Sequence, residues 1–379
     1  MRIPGFKGIF GLIAYVLIAI SIAGCTTNAG PSPVLQSKLA TRVHEAIEID
    51  NIAPGFAIAV IGPTEAQSYS AAAGVADADG RIFTADTPLR IASNTKTFTA
   101  ATVLRLWEDG LLDLDAPITA LIDPEFDAML QNDGYDATAI TVRQLLMHTA
   151  GLPDHADDSY VELVMTDPSR QWTRRDQLAV AVDAHDPLGP PNDQFSYSDT
   201  GYILLGHIIE RLTGETLAAV VRREMKFSEI GLEATWWEQV EQPPVQSAPR
   251  ARQYVSGVDA TDWDGSIDLY GGGGLIMSPN DLARFMTALM RNEIFDEPAT
   301  LETMLSAPGH PFPDNYRIGL FPRTIEEFEA YSHEGFWGTH VIYIPELDAA
   351  VSAVVLDQSG YRKMFPLVSE TIRDIANSR

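Results

Sequence analysis

Ser93 and Lys96 stand three residues apart in Ser93-Asn94-Thr95-Lys96, and no other lysine of the 379-residue chain follows a serine at that distance. A serine hydroxyl is a weak nucleophile until a neighbouring base takes its proton. A lysine can be that base only where desolvation or nearby cations lower its pKa. Three residues make about one helical turn, so both side chains can share a helix face. Apolar helical spacing starts just after them, at Phe98, Ala101, Leu104 and Trp107. Ser93 is therefore expected at a helix N-terminus, where free backbone N–H groups stabilise an oxyanion. The plain alternative is a serine that caps the helix and a lysine that points into water. The pair alone does not choose between them.

Two further triplets carry compatible chemistry. Tyr197-Ser198-Asp199 places a phenol and a carboxylate in a loop just before an apolar-periodic helix, and His333-Glu334-Gly335 falls on an expected strand. Taken singly, Tyr197 reads equally as a packing tyrosine at a helix entry and His333 as a satisfied strand histidine. Their order along the chain is what raises them.

The elements that must position these groups follow from periodicity. Residues 34–50 have Leu35, Leu39, Val43, Ala46 and Ile47 on one helical face. Residues 55–63 and 66–81 read as strands, the first ended by Gly-Pro and the second by an Asp-Gly turn. Helical signals dominate from about 93 to 237. Residues 329–358 read as strands joined by Pro-Glu-Leu-Asp, and 361–379 as a closing helix. Strands at both ends of a chain share one sheet only if the chain returns. The expected architecture is therefore α/β (α+β): an antiparallel sheet flanked by the terminal helices, with a mostly helical domain inserted. The sheet part takes about 34–86 and 265–379, the helical part about 87–264, with a cleft where they meet.

In order and spacing the three triplets resemble the Ser-x-x-Lys, Tyr-x-Asn and Lys/His-x-Gly motifs of the penicillin-recognising serine hydrolases. That superfamily includes class C β-lactamases, D-alanyl-D-alanine carboxypeptidases and related esterases and D-peptidases. Residues 54–60, 141–154 and 271–289 look like the same family, so the resemblance covers about 34–379. It implies a β-lactamase/transpeptidase-like fold and an acyl-enzyme on Ser93. Lys96 and Tyr197 would share the proton work. His333, in place of the third-motif lysine, would bind a substrate carboxylate or shuttle protons. Gly335 would let the strand approach the substrate, and the N–H groups of Ser93 and Phe336 would form the oxyanion hole. The implied activity is hydrolysis of an amide or ester such as a D-amino-acid peptide, without cofactor or metal. Carboxylesterase, β-lactamase and a non-turnover penicillin-binding sensor are the alternatives.

Two departures bear on the substrate. Asp199 stands where the family carries Asn, and an ionised carboxylate accepts but cannot donate. It is expected to raise the Lys96 pKa and to favour substrates with a free ammonium group over β-lactams. Glu334 replaces the usual Thr, which removes a hydroxyl beside the scissile carbonyl. His148 and His155, near Asp154, Asp157 and Asp158, lack metal-ligand spacing and are expected in a solvated loop, with His148 holding its backbone. The contiguous run Gly271–Gly274 does not fit a nucleotide loop and is expected to permit close packing near the cleft. Trp236 and Trp237 read as core; Trp337, beside the third triplet, reads equally as core or cleft wall.

The balance of 26 basic and 52 acidic side chains gives a net charge of −26 and disfavours nucleic acid as a partner. At the N-terminus, Arg2 and Lys7 precede an apolar run from Ile9 to Ile20 that is too short to span a bilayer. Ile22-Ala23-Gly24-Cys25 resembles the bacterial lipobox, and Cys25 is the single cysteine of the chain. The expectation is a signal peptide over 1–24, acylation of Cys25, a tether over 25–33, and a lipid-anchored envelope protein on the periplasmic side. Thr26 points to the outer membrane if the source is Gram-negative. With one cysteine, no intramolecular disulfide supports the fold.

Overall fold

The computed structural model describes residues 31–379. The expected signal segment, Cys25 and most of the tether lie outside these described residues.

Helix α1 (Pro33–Glu48) opens on a proline, whose missing N–H leaves nothing unsatisfied at that position. Strands β1 (Gly55–Ile61) and β2 (Tyr69–Gly74) follow. The chain then leaves through an inserted stretch that includes α2 (Thr95–Glu108) and α3 (Asp199–Thr213), and comes back through α4 (Pro279–Met290). It re-enters the sheet as β3 (Phe321–Ile325), β4 (Phe328–Gly335), β5 (Thr339–Ile344) and β6 (Ala349–Val355), and closes with α5 (Tyr361–Ala376). The sheet order is β2-β1-β6-β5-β4-β3, antiparallel throughout, so both termini do share one sheet.

Side-chain alternation sorts the two faces. Phe56, Ile58 and Val60 of β1 stand opposite Val355, Ala353 and Val351 of β6, and all six pack under α1 and α5. Each fully buried Val, Ile or Phe there contributes about 1.5–3 kcal/mol. The alternate residues are smaller: Ala59 and Ala350 face the larger core that contains α2, α3 and α4. Inside that core Phe98 of α2 stacks on Phe285 of α4 at 3.5 Å between ring centres and meets Phe227 edge-on at 5.9 Å. Helix α2, which carries Lys96, is buried along nearly its whole length.

Two details add to the expectation. Strand β3, which the sequence reading did not include, holds Pro322 inside it; the proline is tolerated since β3 is the edge of the sheet. The mostly helical inserted stretch also carries a small sheet. Thr235–Trp237 and Leu89–Arg90 flank Leu275–Met277 in a small antiparallel sheet. The tryptophan pair belongs to this strand and is buried, Trp237 within the main core.

Candidate active site

Ser93 lies in a single 3-10 turn, Ala92–Asn94, that runs directly into α2. The residue before it, Ala92, has φ +45°, a left-handed conformation that is unfavourable by about 1–2 kcal/mol for an L-residue. Surrounding bonds hold the turn. Asn94 Nδ2 donates to the Ile91 carbonyl (2.9 Å) and to Thr339 Oγ1 (2.8 Å), and Thr339 Oγ1 donates to the same carbonyl (3.0 Å). Strand β4 presses against this knot at Gly335. A Cβ there would overlap the Ile91 carbonyl and the Thr339 hydroxyl and stand 2.8 Å from Asn94 Nδ2. The third-triplet glycine thus makes room for the serine turn.

Lys96 is fully buried, and its ammonium spends its three donors on Ser93 Oγ (2.9 Å), the Gly272 carbonyl (2.9 Å) and an ion pair with Asp199. Its Nζ also lies 5.1 Å from the centre of the Tyr197 ring. Burial pulls the Lys96 pKa down, but the neighbouring acids, Asp199 first among them, outweigh it and hold the ammonium above its usual range. Burial raises the Tyr197 phenol, with Lys96 pulling it back. The resting site is therefore an ammonium, a carboxylate and a neutral phenol around one hydroxyl. Ser93, Lys96, Tyr197 and Asp199, separated by up to 106 positions in the chain (93 to 199), meet in one place.

Asp199 is the first residue of α3, and Asp154 fixes it there: Asp154 Oδ1 accepts the Asp199 N–H and the Ala156 N–H, both at 3.0 Å. A third carboxylate, Asp268, comes from the other side. Burial and the Asp199 charge push both Asp154 and Asp268 up to about 7. The glycine run explains how the acids fit. A Cβ at Gly272 would strike Asp199 Oδ1, and one at Gly273 would strike the Asp268 carboxylate.

The loop containing His148 and His155 is a correction to the solvated reading: the two residues are only 3% and 2% exposed. Their partners come from the Tyr197 segment. The Ser198 N–H donates to His148 Nδ1 (3.1 Å), Ser196 N–H to the His148 carbonyl (3.0 Å), Ser198 Oγ to the Pro153 carbonyl (2.8 Å), and His155 N–H to Thr200 Oγ1 (3.1 Å). The loop is a clamp that fixes where Tyr197 and Asp199 point. The His148 ring holds the backbone of the Tyr197 segment, not that of its own loop.

His333 is buried behind the cavity. Its Nδ1 accepts the Glu334 N–H (2.9 Å) and its Nε2 meets the Tyr316 hydroxyl (2.9 Å). Burial and Lys96 push its pKa down to about 3, so the ring is neutral and offers no charge to a substrate carboxylate. Phe336 does reach the cavity. Its N–H donates to no described residue.

The cavity holds about 260 Å³ and opens onto Ser93, Tyr197, Asp199 and Asp268 at its polar end. Its apolar walls include Tyr160, Val164, Trp263, Ile267 and Trp337; Trp337 is at once a wall and part of the buried cluster with Trp172 and Trp263. Asp154, Asp268 and Asn94 were not singled out from sequence as site residues. The signal for Asp268 was the glycine run that follows it.

The Beta-lactamase family model matches residues 41–368. Over 379 aligned residues the chain is 27% identical to an unguisins hydrolase of Aspergillus violaceofuscus, covering 88% of this chain and 63% of that protein. Over 173 residues it is 36% identical to esterase EstB of Burkholderia gladioli, covering 44% of this chain and 43% of the esterase. The chain thus spans less than two thirds of the length of these curated relatives. Among solved structures, the D-amino acid amidase of Ochrobactrum anthropi SV3 complexed with L-phenylalanine superposes with a TM-score of 0.74 at 26% identity, covering 91% of this chain and 99% of the amidase. The family match runs unbroken across the Ser93 turn, the Tyr197 loop and β4, so the chain belongs to the beta-lactamase family of serine hydrolases.

Proposed function

We propose that this protein hydrolyses an amide or ester through an acyl-enzyme on Ser93, with a D-amino-acid amide or short D-peptide as the amide substrate. The observation that carries the reading is the 2.9 Å contact between Lys96 Nζ and Ser93 Oγ at the floor of an apolar cavity. The Ser93 proton passes to Lys96 as Lys96 yields one of its own to Asp199. The freed Oγ forms a bond to the carbonyl carbon, and the new oxyanion takes the N–H groups of Ser93 and Phe336. Tyr197 then gives its phenol proton to the departing nitrogen or oxygen as the acyl–leaving-group bond breaks. Lys96 restores that proton, and Asp199 restores Lys96. Water, activated by the same relay in reverse, cleaves the Ser93 ester and releases the acid.

The amidase likeness across the whole fold supports an amide substrate. The neutral His333 removes the main argument for a substrate with a terminal carboxylate. The likeness to the esterase supports carboxylesterase activity as the second reading. Turnover of a nitrophenyl ester and of D-phenylalanine p-nitroanilide tests the proposal, with the acyl group mapped by peptide mass. Ser93→Ala should abolish both turnover and the mass gain; turnover that survives this change would refute it.

The lipobox-like segment supports a second proposal, that Cys25 is acylated and anchors the protein in the cell envelope. Labelled palmitate should enter the chain in a bacterial host and fail to enter Cys25→Ala; label in that variant would overturn it.

A further inference from the structure

We infer that Asp268 reads a cationic group on the substrate, so that the site selects acyl units carrying a free ammonium beside an apolar side chain. The inference builds on the hydrolase reading of Ser93 and names what that site accepts.

Three carboxylates stand around the cavity, and two are already committed. Asp199 is paired with Lys96, and Asp154 accepts two backbone N–H groups. Asp268 accepts no hydrogen bond from any described side chain or loop N–H, yet it lines the same cavity as Ser93. Asp268 is half-buried, and its carboxyl remains open to the cavity, where a ligand donor can meet it directly. The neighbouring cations are spoken for: Lys96 has used its three donors, and Arg90 is bound to Glu238 and to the carbonyls of Ala260 and Trp263. No described cation is therefore left to pair with Asp268 when it ionises, and one substrate ammonium would supply that partner.

The surroundings suit such a group. Gly273 leaves the space into which a side chain would otherwise push Asp268. Tyr160, Trp263 and Trp337 line the walls, and aromatic faces attract cations while accepting apolar side chains. An aromatic or aliphatic amino-acid residue with its amine free meets all of these features at once. An acyl chain lacking the amine meets only the walls.

The test compares D-phenylalanine p-nitroanilide with its N-acetyl derivative, using the full-length chain in detergent. The free amine should be preferred in kcat/KM by tenfold or more, and Asp268→Asn should cut that preference at least tenfold. Equal losses on both substrates would overturn the inference, because Asp268 would then shape the site without reading charge. A second arm uses the unaltered protein and so does not depend on the variant folding. Phenethylammonium should inhibit nitrophenyl ester hydrolysis at a concentration at least tenfold below that of neutral 2-phenylethanol. Equal inhibition would sink the inference while leaving the hydrolase reading intact. Absence of any turnover and of any adduct on Ser93 would remove both.

Discussion

Gly335→Ala adds one methyl group, and the structure says where it must go. Gly335 ends β4 against the turn that presents Ser93, and the new Cβ would stand 2.8 Å from Asn94 Nδ2 and nearer still to the Ile91 carbonyl and Thr339 Oγ1. An ordinary contact begins at 3.4 Å, so even the farthest of the three atoms would have to retreat by 0.6 Å. Asn94 and Thr339 cannot simply rotate away, because they bond each other and both bond the Ile91 carbonyl. The strain therefore passes to the backbone on either side of Ala92, which is already left-handed. Overpacking of this kind destabilises by about 1–3 kcal/mol. For chemistry the loss should be larger, because a misplacement near 1 Å of a reacting group lowers the rate by about 10²-fold. Differential scanning fluorimetry and steady-state hydrolysis of a nitrophenyl ester give the two readings. The expected pattern is a small fall in Tm with a fall of about two orders of magnitude in kcat. Full activity in Gly335→Ala would refute the argument that this glycine exists to let β4 and the serine turn meet.

Tyr197→Phe removes the phenol proton that the leaving group needs while keeping the ring against Lys96 and His148; kcat should fall by about 10²–10⁴ with Tm nearly unchanged. Phe98→Ala empties the stack on Phe285 and should destabilise by about 3–5 kcal/mol in chemical denaturation, far more than any surface change on α2. The acid pair predicts a pH effect of definite sign. Asp268, facing Asp199, Lys96, Arg90 and Glu238, holds its proton up to about 7 when folded against 3.8 for a free side chain. The folded state binds the extra proton between those values, so this group's contribution falls as pH rises through that window. Buried His148, His155 and His333 have lowered pKa values and act in the opposite sense, losing stability as pH falls. The difference in Tm between Asp268→Asn and the parent isolates the acid: it should grow in favour of the variant from pH 5 to pH 8, and a constant or shrinking difference would contradict the placement of Asp268.

The layers of the fold were readable because burial writes a simple period. Leu35, Leu39, Val43 and Ala46 mark one face of α1, and Phe56, Ile58 and Val60 alternate along β1; both patterns are local. The catalytic triplets were readable for a different reason, since each keeps its chemistry within three or four residues. What stayed hidden depends on distant partners. His148 and His155 looked solvated because their own segment is polar; their partners lie 45 to 50 residues away, at Thr200 and Ser198. Asp268 carries no local pattern that sets it apart from the other acids of the chain, and only the space beside Gly273 shows that it turns inward. His333 kept its place on a strand, but its neutral state follows from Tyr316 and the depth of burial, which no triplet encodes.

The change from Asn to Asp at position 199 ties these observations together. An amide oxygen there would contact Lys96 without holding its proton, and the buried amine would then be free to act as base at Ser93. A carboxylate does the reverse: it keeps Lys96 charged, so the amine alone cannot take the serine proton. The relay still works only because the same carboxylate can accept what Lys96 gives up. Asp199 therefore replaces a free base with a shared one, and the added negative charge is felt by Asp154 and Asp268, whose own protons it holds in place. A neutral substrate would leave Asp268 holding its proton. A substrate with an ammonium group would let Asp268 ionise against it, so the departure at Asp199 and the selectivity assigned to Asp268 are two consequences of one charge.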